Sequence, residues 1–153
     1  MPASPVPMTP RGLPTQRIRR RAQFQAVLGT PAVVQSAHFA LHGVPTAGLA
    51  DAHGRPLFPG ESAWLGVVIP KRWARRAVTR NALKRQVVAA ERELPLPPGA
   101  WVVRLKRAFA PTDFPSATSA ALRRAARLEL RQLLGPRLRQ RLAARNHASA
   151  PRS

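Results

Sequence analysis

At 153 residues the chain is long enough for one domain with tails, and its 26 lysines and arginines against 6 acidic residues give a formal net charge of +20. That balance favours nucleic acid or another anionic surface as partner. The lack of cysteine excludes a disulfide framework and a thiolate metal site, and the acids (Asp51, Glu61, Glu91, Glu93, Asp113 and Glu129) are too scattered to suggest a pair for acid–base work. His38, His42, His53 and His147 do not stand at metal-ligand spacing with carboxylates. No apolar run approaches the roughly 18 residues of a membrane span, and no apolar leader-like segment opens the chain, so a cytoplasmic location without membrane contact is expected. Only Lys71, Lys84 and Lys106 are lysines, so arginine supplies the other 23 cations. Arginine offers phosphate a planar fork and stacks on bases. Scattered arginine also follows from GC-rich coding, so the clustered arginines carry the inference.

Met1–Pro14 holds five prolines and reads as an extended, disordered tail. Thr15–Gly29 is predicted to be a helix with Ile18, Phe24, Val27 and Leu28 along an apolar edge and Gly29 as its stop. Arg17, Arg19, Arg20 and Arg21 stand at its start, the end that disfavours cations. Val33–Val44 alternates as a strand, burying the Phe39 side and leaving His38 and His42 open to a ligand or to water. Pro45–Gly60 is punctuated as a loop. Ser62–Ile69 is a continuously apolar strand suited to the middle of a sheet. A long helix ending near Glu93 follows, then a strand over Ala100–Leu105, and strand, helix and strand in that order suggest a crossover unit. Ser116–Leu134 is a helix with Ala121, Leu122, Ala125, Leu128 and Leu133 at helical intervals and Ser116 or Thr118 as cap. Gly135-Pro136 stops or interrupts it, leaving a basic tail that is helical at most at its start.

The chain is most unusual between Lys71 and Arg85. Seven of those fifteen residues are basic, none is acidic, and no acid follows until Glu91. Seven cations on one helix-length segment repel one another unless an anion offsets them. Stepped at helical pitch, Arg80 and Lys84 form one row and Asn81 and Arg85 the next, while Ala82, Leu83, Val87, Ala89 and Ala90 face a core. Ala74, Ala77, Val78 and Val88 fall on the polar side. A solvated basic face would show the same charge run.

The order of elements, with Arg80-Asn81-Ala82-Leu83-Lys84-Arg85 on the helix after the apolar strand, resembles the protein subunit of bacterial ribonuclease P. That family carries an Arg-Asn-Arg-x-Lys-Arg signature there; Ala82 replaces its third residue. Lys71-Arg72, Arg75-Arg76-Ala77, Leu105-Lys106-Arg107 and the early Phe24, Val27 and Leu28 helix resemble it too, with Gln23 in place of an acid and Leu28 in place of an aromatic. The resemblance implies an α/β fold of the two-layer α+β sandwich kind, ordered α-β-β-β-α-β-α. Its mixed sheet would have about four strands, and the crossover through the basic helix would be left-handed, a rare hand in proteins generally. Residues 15–135 would form the domain, with tails at 1–14 and 136–153.

The resemblance also implies that chemistry belongs to an RNA partner. That RNA would position Mg2+ and cut the 5′ leader from precursor tRNA, with no catalytic residue, organic cofactor or further protein partner in this chain. Lys71, Arg72, Arg75, Arg76, Arg80, Asn81, Lys84 and Arg85 would bind the catalytic RNA. Asn81 would orient a neighbour or a metal-bound water, or cap a local network. Phe24, Leu28, His42 and Lys106 would line a cleft for the leader; on spacing alone Phe24 fits the core as well. With no tyrosine in the chain, base stacking there is limited to Phe, His and Trp. The alternative is a structural RNA-binding protein such as a ribosomal protein, which shares the charge and size. A DNA-binding module would need a paired helix-turn-helix pattern that is not found here.

Overall fold

The computed structural model describes residues 14–109 and 120–149; residues 1–13 of the N-terminal tail and the caps expected at Ser116 or Thr118 lie outside them. In chain order the elements are β1 (Gln16–Arg17), α1 (Arg21–Leu28), β2 (Val34–Gln35), β3 (Phe39–Val44), β4 (Ala63–Val68), α2 (Ala77–Glu93), β5 (Gly99–Leu105), α3 (Ala120–Gln132), a π-helical turn (Leu133–Arg137) and α4 (Leu138–Ser149). The expected order α-β-β-β-α-β-α is the run from α1 to α3. One edge strand precedes it and one helix follows.

The sheet is mixed and five-stranded, ordered β1-β4-β5-β3-β2. β4 pairs in parallel with β1 and with β5, so α2 is the crossover between two central neighbours. β3 pairs antiparallel with β5 and β2. Side chains alternate across these strands and divide the core in two. On one face Phe39, Leu41, Leu65, Trp101, Val103 and Leu105 pack under Leu83 and Val87 of α2, Ala126 and Leu130 of α3, and Leu133 of the π turn. On the other, Ala100 and Val102 pack with Ile18, Val27 of α1, and Leu57 and Phe58 of the 45–60 loop. The two-layer expectation describes the first face; α1 and that loop cover part of the second.

Several local expectations are corrected. The predicted Thr15–Gly29 helix divides: Gln16 and Arg17 run along β4, the Ile18 amide donates to the Leu65 carbonyl at 3.0 Å, and α1 begins only at Arg21. Gln23 explains that start. Its Oε1 accepts from the Arg19 and Arg20 amides (3.1 and 3.0 Å) and its Nε2 donates to the Leu57 carbonyl (3.0 Å), so a buried amide caps the helix and ties it to the loop. The predicted strand over 33–44 bends at Ser36–His38. There Glu129 of α3 accepts from the Ser36 hydroxyl, the His38 amide and the His38 ring, which itself stacks on Phe109 at 3.9 Å. Burial alone would raise the Glu129 carboxyl; these hydrogen bonds outweigh it and hold the group below its ordinary range.

The inward stripe of α3 is Leu122, Ala126 and Leu130, which leaves the predicted Leu128 63% exposed. Gly135-Pro136 does not stop the helix. The missing proline N–H is absorbed by the π turn, and Leu138 and Leu142 continue onto the core. Leu138 is thus part of the same core cluster, and the partly buried Leu142 packs against it.

Candidate nucleic-acid interface

The basic stretch is a turn followed by a helix, not one helix. Pro70 closes the β4 run, and its carbonyl accepts from the Trp73 and Ala74 amides at 3.0 and 3.2 Å. Ala74 is buried and pins the turn, so Lys71, Arg72, Arg75 and Arg76 all stand exposed ahead of α2. Arg72 lies over the Trp73 ring, 5.1 Å from its centroid. Arg80 holds the two parts together: its Nη1 donates to the Ala74 and Arg75 carbonyls at 3.0 and 2.7 Å. One guanidinium nitrogen is thus engaged internally, which makes Arg80 a positioning residue for the turn.

On α2 itself Asn81, Lys84 and Arg85 are exposed, and Ala82, Leu83, Val87 and Ala90 are buried. Of the other polar-side positions, Ala77 and Val78 are exposed. The acids gather at the far end of the helix. Glu93 receives Arg131 through two bonds (3.0 and 2.8 Å) and Arg127 at 3.3 Å, and these contacts hold its carboxyl below the usual range. Glu91 accepts from the Thr15 hydroxyl and the Leu96 amide. Among the described residues Lys71, Arg72, Arg75, Arg76, Lys84 and Arg85 have no acidic partner. Cations at the N-terminal end and acids at the C-terminal end oppose the helix macrodipole, an arrangement that costs stability and builds positive potential where the backbone N–H groups already point outward.

The predicted leader residues come together on the second sheet face only in part. Phe24 and Leu28 of α1 are half-buried in its apolar cluster. Phe24 lies against Gly66, where an added Cβ would be 2.6 Å from its ring. His42 is not open as expected. It is 6% exposed, its Nδ1 donates to the Thr30 carbonyl at 2.9 Å, and its Nε2 faces the Arg104 guanidinium at 3.4 Å. The loop after α1 closes over the ring, which the strand alternation cannot reveal. Lys106 is partly exposed and donates to the Gln35 side chain at 2.9 Å. Arg104, in register with Ala40 and on the same face as His42, is the cation the sequence reading missed. Its signal was the Val102, Arg104, Lys106 alternation.

Burial pushes the His42 ring below its ordinary pKa; the Thr30 carbonyl opposes this and the Arg104 charge adds to it. The neutral ring is the folded form, so its stabilisation is complete above about pH 6.5 and is lost as pH falls through the lower folded value. The urea midpoint is therefore expected to drop as the pH falls below about 6.5. His42→Gln, which keeps a donor for Thr30, should flatten that drop. Equal losses in both proteins would place its source elsewhere.

Among the described residues no group of three or more His, Asp or Glu could hold a metal ion, so these side chains do not fit a metal centre. No described helix is long and apolar enough to cross a membrane. A ribonuclease P family model matches residues 14–132. The ribonuclease P protein component of Bordetella parapertussis is 39% identical over 116 residues, covering 74% of this chain and 85% of its own length. That of Burkholderia mallei is 33% identical over 139 residues, 90% and 91% of the two chains. The ribonuclease P proteins of Staphylococcus aureus and Thermotoga maritima share the fold, with TM-scores of 0.55 and 0.54 at 17% and 18% identity; they cover 79% and 81% of this chain, and 94% and 96% of theirs is matched. Relatives of this identity and coverage decide the family where charge alone could not: the chain belongs to the ribonuclease P proteins, the protein component of a ribonucleoprotein endoribonuclease that binds RNA and matures the 5′ end of tRNA.

Proposed function

We propose that the turn at 71–76 and the exposed side of α2 dock on the catalytic RNA, while the second sheet face holds the 5′ leader of precursor tRNA. One observation carries the docking surface: six clustered cations, fixed by Pro70, Ala74 and Arg80, have no acidic partner among the described residues. A polyanion compensates that charge by direct phosphate contact and counterion release. Arg80 acts mainly by setting the turn, and Asn81 adds a carboxamide beside Arg85. Mg2+ belongs chiefly to the RNA, and the protein's part is to neutralise phosphates and orient the substrate, in the cytoplasm and without a further protein partner.

For the leader, Phe24, Leu28 and Lys106 remain the contacting residues, with Arg104 added for the backbone. His42 supports Arg104 from below. Reconstitution with the catalytic RNA at low magnesium is expected to restore leader removal. A photoreactive leader should then label α1 and the β5 end, and label confined to α2 would remove the second surface.

A further inference from the structure

The basic segment after the π turn is a helix with one side fixed. α4 begins beyond residue 132, where the match to the family model ends, so the family does not account for it. Leu138 is buried and Leu142 packs beside it on the first sheet face, which sets the orientation of the helix. Arg137, Arg141 and Arg145 recur at every fourth position and form one row along it, about 12 Å long at roughly 1.5 Å per residue. All three are exposed, and none has an acidic partner among the described residues. Arg139 stands on the other flank: its guanidinium and the Leu94 side chain both lie within 4 Å of where a Cβ on Gly135 would stand, so it reaches toward the end of α2.

The row starts where the surface read for the leader ends. β2 is the outer strand beyond β3. Gln35 of β2 is in register with Ala40, and Ala40 with Arg104, so the three share the second face. The Gln35 side chain accepts from Lys106 Nζ at 2.9 Å, and its backbone carbonyl accepts from Arg137 Nη1 at 2.8 Å. One residue at the sheet edge thus holds both the outermost cation of the second face and the first cation of the α4 row. The acid on this side, Glu129, is engaged by Ser36 and His38. A polyanion that passes Arg104 and Lys106 and crosses this edge meets Arg137, Arg141 and Arg145 next. Guanidiniums four residues apart, with no aromatic ring among them, hold phosphates without reading bases. We propose that α4 carries the distal part of the 5′ leader past the β2 edge, with Arg137 as the bridge and Arg141 and Arg145 as the phosphate contacts. The proposal rests on the reading of the second face as the leader surface and extends it to a helix outside the family match.

The test is binding of precursor tRNA to the holoenzyme reconstituted from the full chain and the catalytic RNA, with leaders shortened stepwise. On the longest leaders Arg141→Gln/Arg145→Gln should weaken binding roughly 25-fold near 0.1 M salt and lower the log–log slope by about 1.4, the value of two single-strand phosphate contacts. The loss should vanish once the leader is too short to cross the β2 edge, and it should be the same for leaders of different sequence. Arg139→Gln is the control, since Arg139 is exposed on the flank away from Gln35, and it should bind every leader as the unaltered protein does. Unchanged thermal midpoints will show that the variants are folded. A loss that persists with tRNA lacking a leader, or that appears with the catalytic RNA alone, would give α4 a different RNA and overturn the proposal. If the double variant binds every leader as Arg139→Gln does, while Lys106→Ala weakens binding of short and long leaders alike, the α4 site is overturned and the leader face stands. If Lys106→Ala is also without effect, both fall.

Discussion

Alanine at both Lys84 and Arg85 is expected to weaken binding to the catalytic RNA by roughly 25- to 60-fold near 0.1 M salt, which is about 1.4–1.8 log units for two phosphate contacts at 0.7–0.9 each. The same change should reduce the salt slope by about 1.4–1.8. Both residues are exposed in the middle of α2, on the side away from Leu83 and Val87, and neither has an acidic partner among the described residues. Stability should hardly move, or rise slightly, because two repelling charges leave a cation-rich helix. Arg131→Ala is the useful contrast. Its guanidinium is engaged by Glu93 through two bonds, so its loss should affect RNA affinity little and loosen the α2–α3 contact. A fluorescence titration across several salt concentrations measures all of this. An unchanged slope for the double variant would mean that this side of α2 faces solvent in the complex.

What separates Lys84 from Arg131 is only partly written in the sequence. Apolar spacing placed Leu83, Val87 and Ala90 inward and Lys84 and Arg85 outward, because a 3.6-residue period leaves little choice once a core exists. It could not show that Arg72 to Arg76 precede the helix. That break depends on Pro70 accepting two amides and on Ala74 finding a buried niche, which are tertiary contacts. For the same reason Gln16 and Arg17 read as helix: two residues carry no period, and only the edge of β4 makes them a strand. His42 shows the limit for the site. Alternation put it on the second face correctly, but its burial goes with a tertiary contact, the Thr30 carbonyl after α1 that accepts from its ring. Leu128 failed in the other direction. It is apolar and at an allowed interval, yet Leu122, Ala126 and Leu130 fill the available seam and leave it in water.

Valine at Gly66 is expected to destabilise the protein by about 2–3 kcal/mol, the upper part of the usual overpacking range. At about 2–4 °C per kcal/mol for a chain of this length, that lowers the thermal midpoint by roughly 4–12 °C. Gly66 sits in a central strand facing α1, and a Cβ there would lie 2.6 Å from Phe24 Cε1 and 3.0 Å from Ile18 Cβ. The Phe24 ring can swing away. Ile18 is harder to move, because its amide is bonded to the neighbouring Leu65 carbonyl and its side chain is buried. Which contact dominates is open to a double-mutant cycle with Gly66→Ala. Leucine at position 24 removes the ε carbons, so if the ring is the obstacle, Phe24→Leu/Gly66→Ala should recover about 1 kcal/mol relative to the sum of the single changes. Strict additivity would assign the strain to Ile18 and β1. The functional consequence follows from which face is disturbed. Displacing α1 alters the surface assigned to the leader and leaves the exposed side of α2, on the opposite face of the sheet, where it was. Gly66→Ala should therefore weaken leader-dependent binding of precursor tRNA while preserving affinity for the catalytic RNA, the reverse of the Lys84 and Arg85 phenotype. Loss of both affinities from a folded Gly66→Ala protein would mean that the two faces do not act as separate binding surfaces.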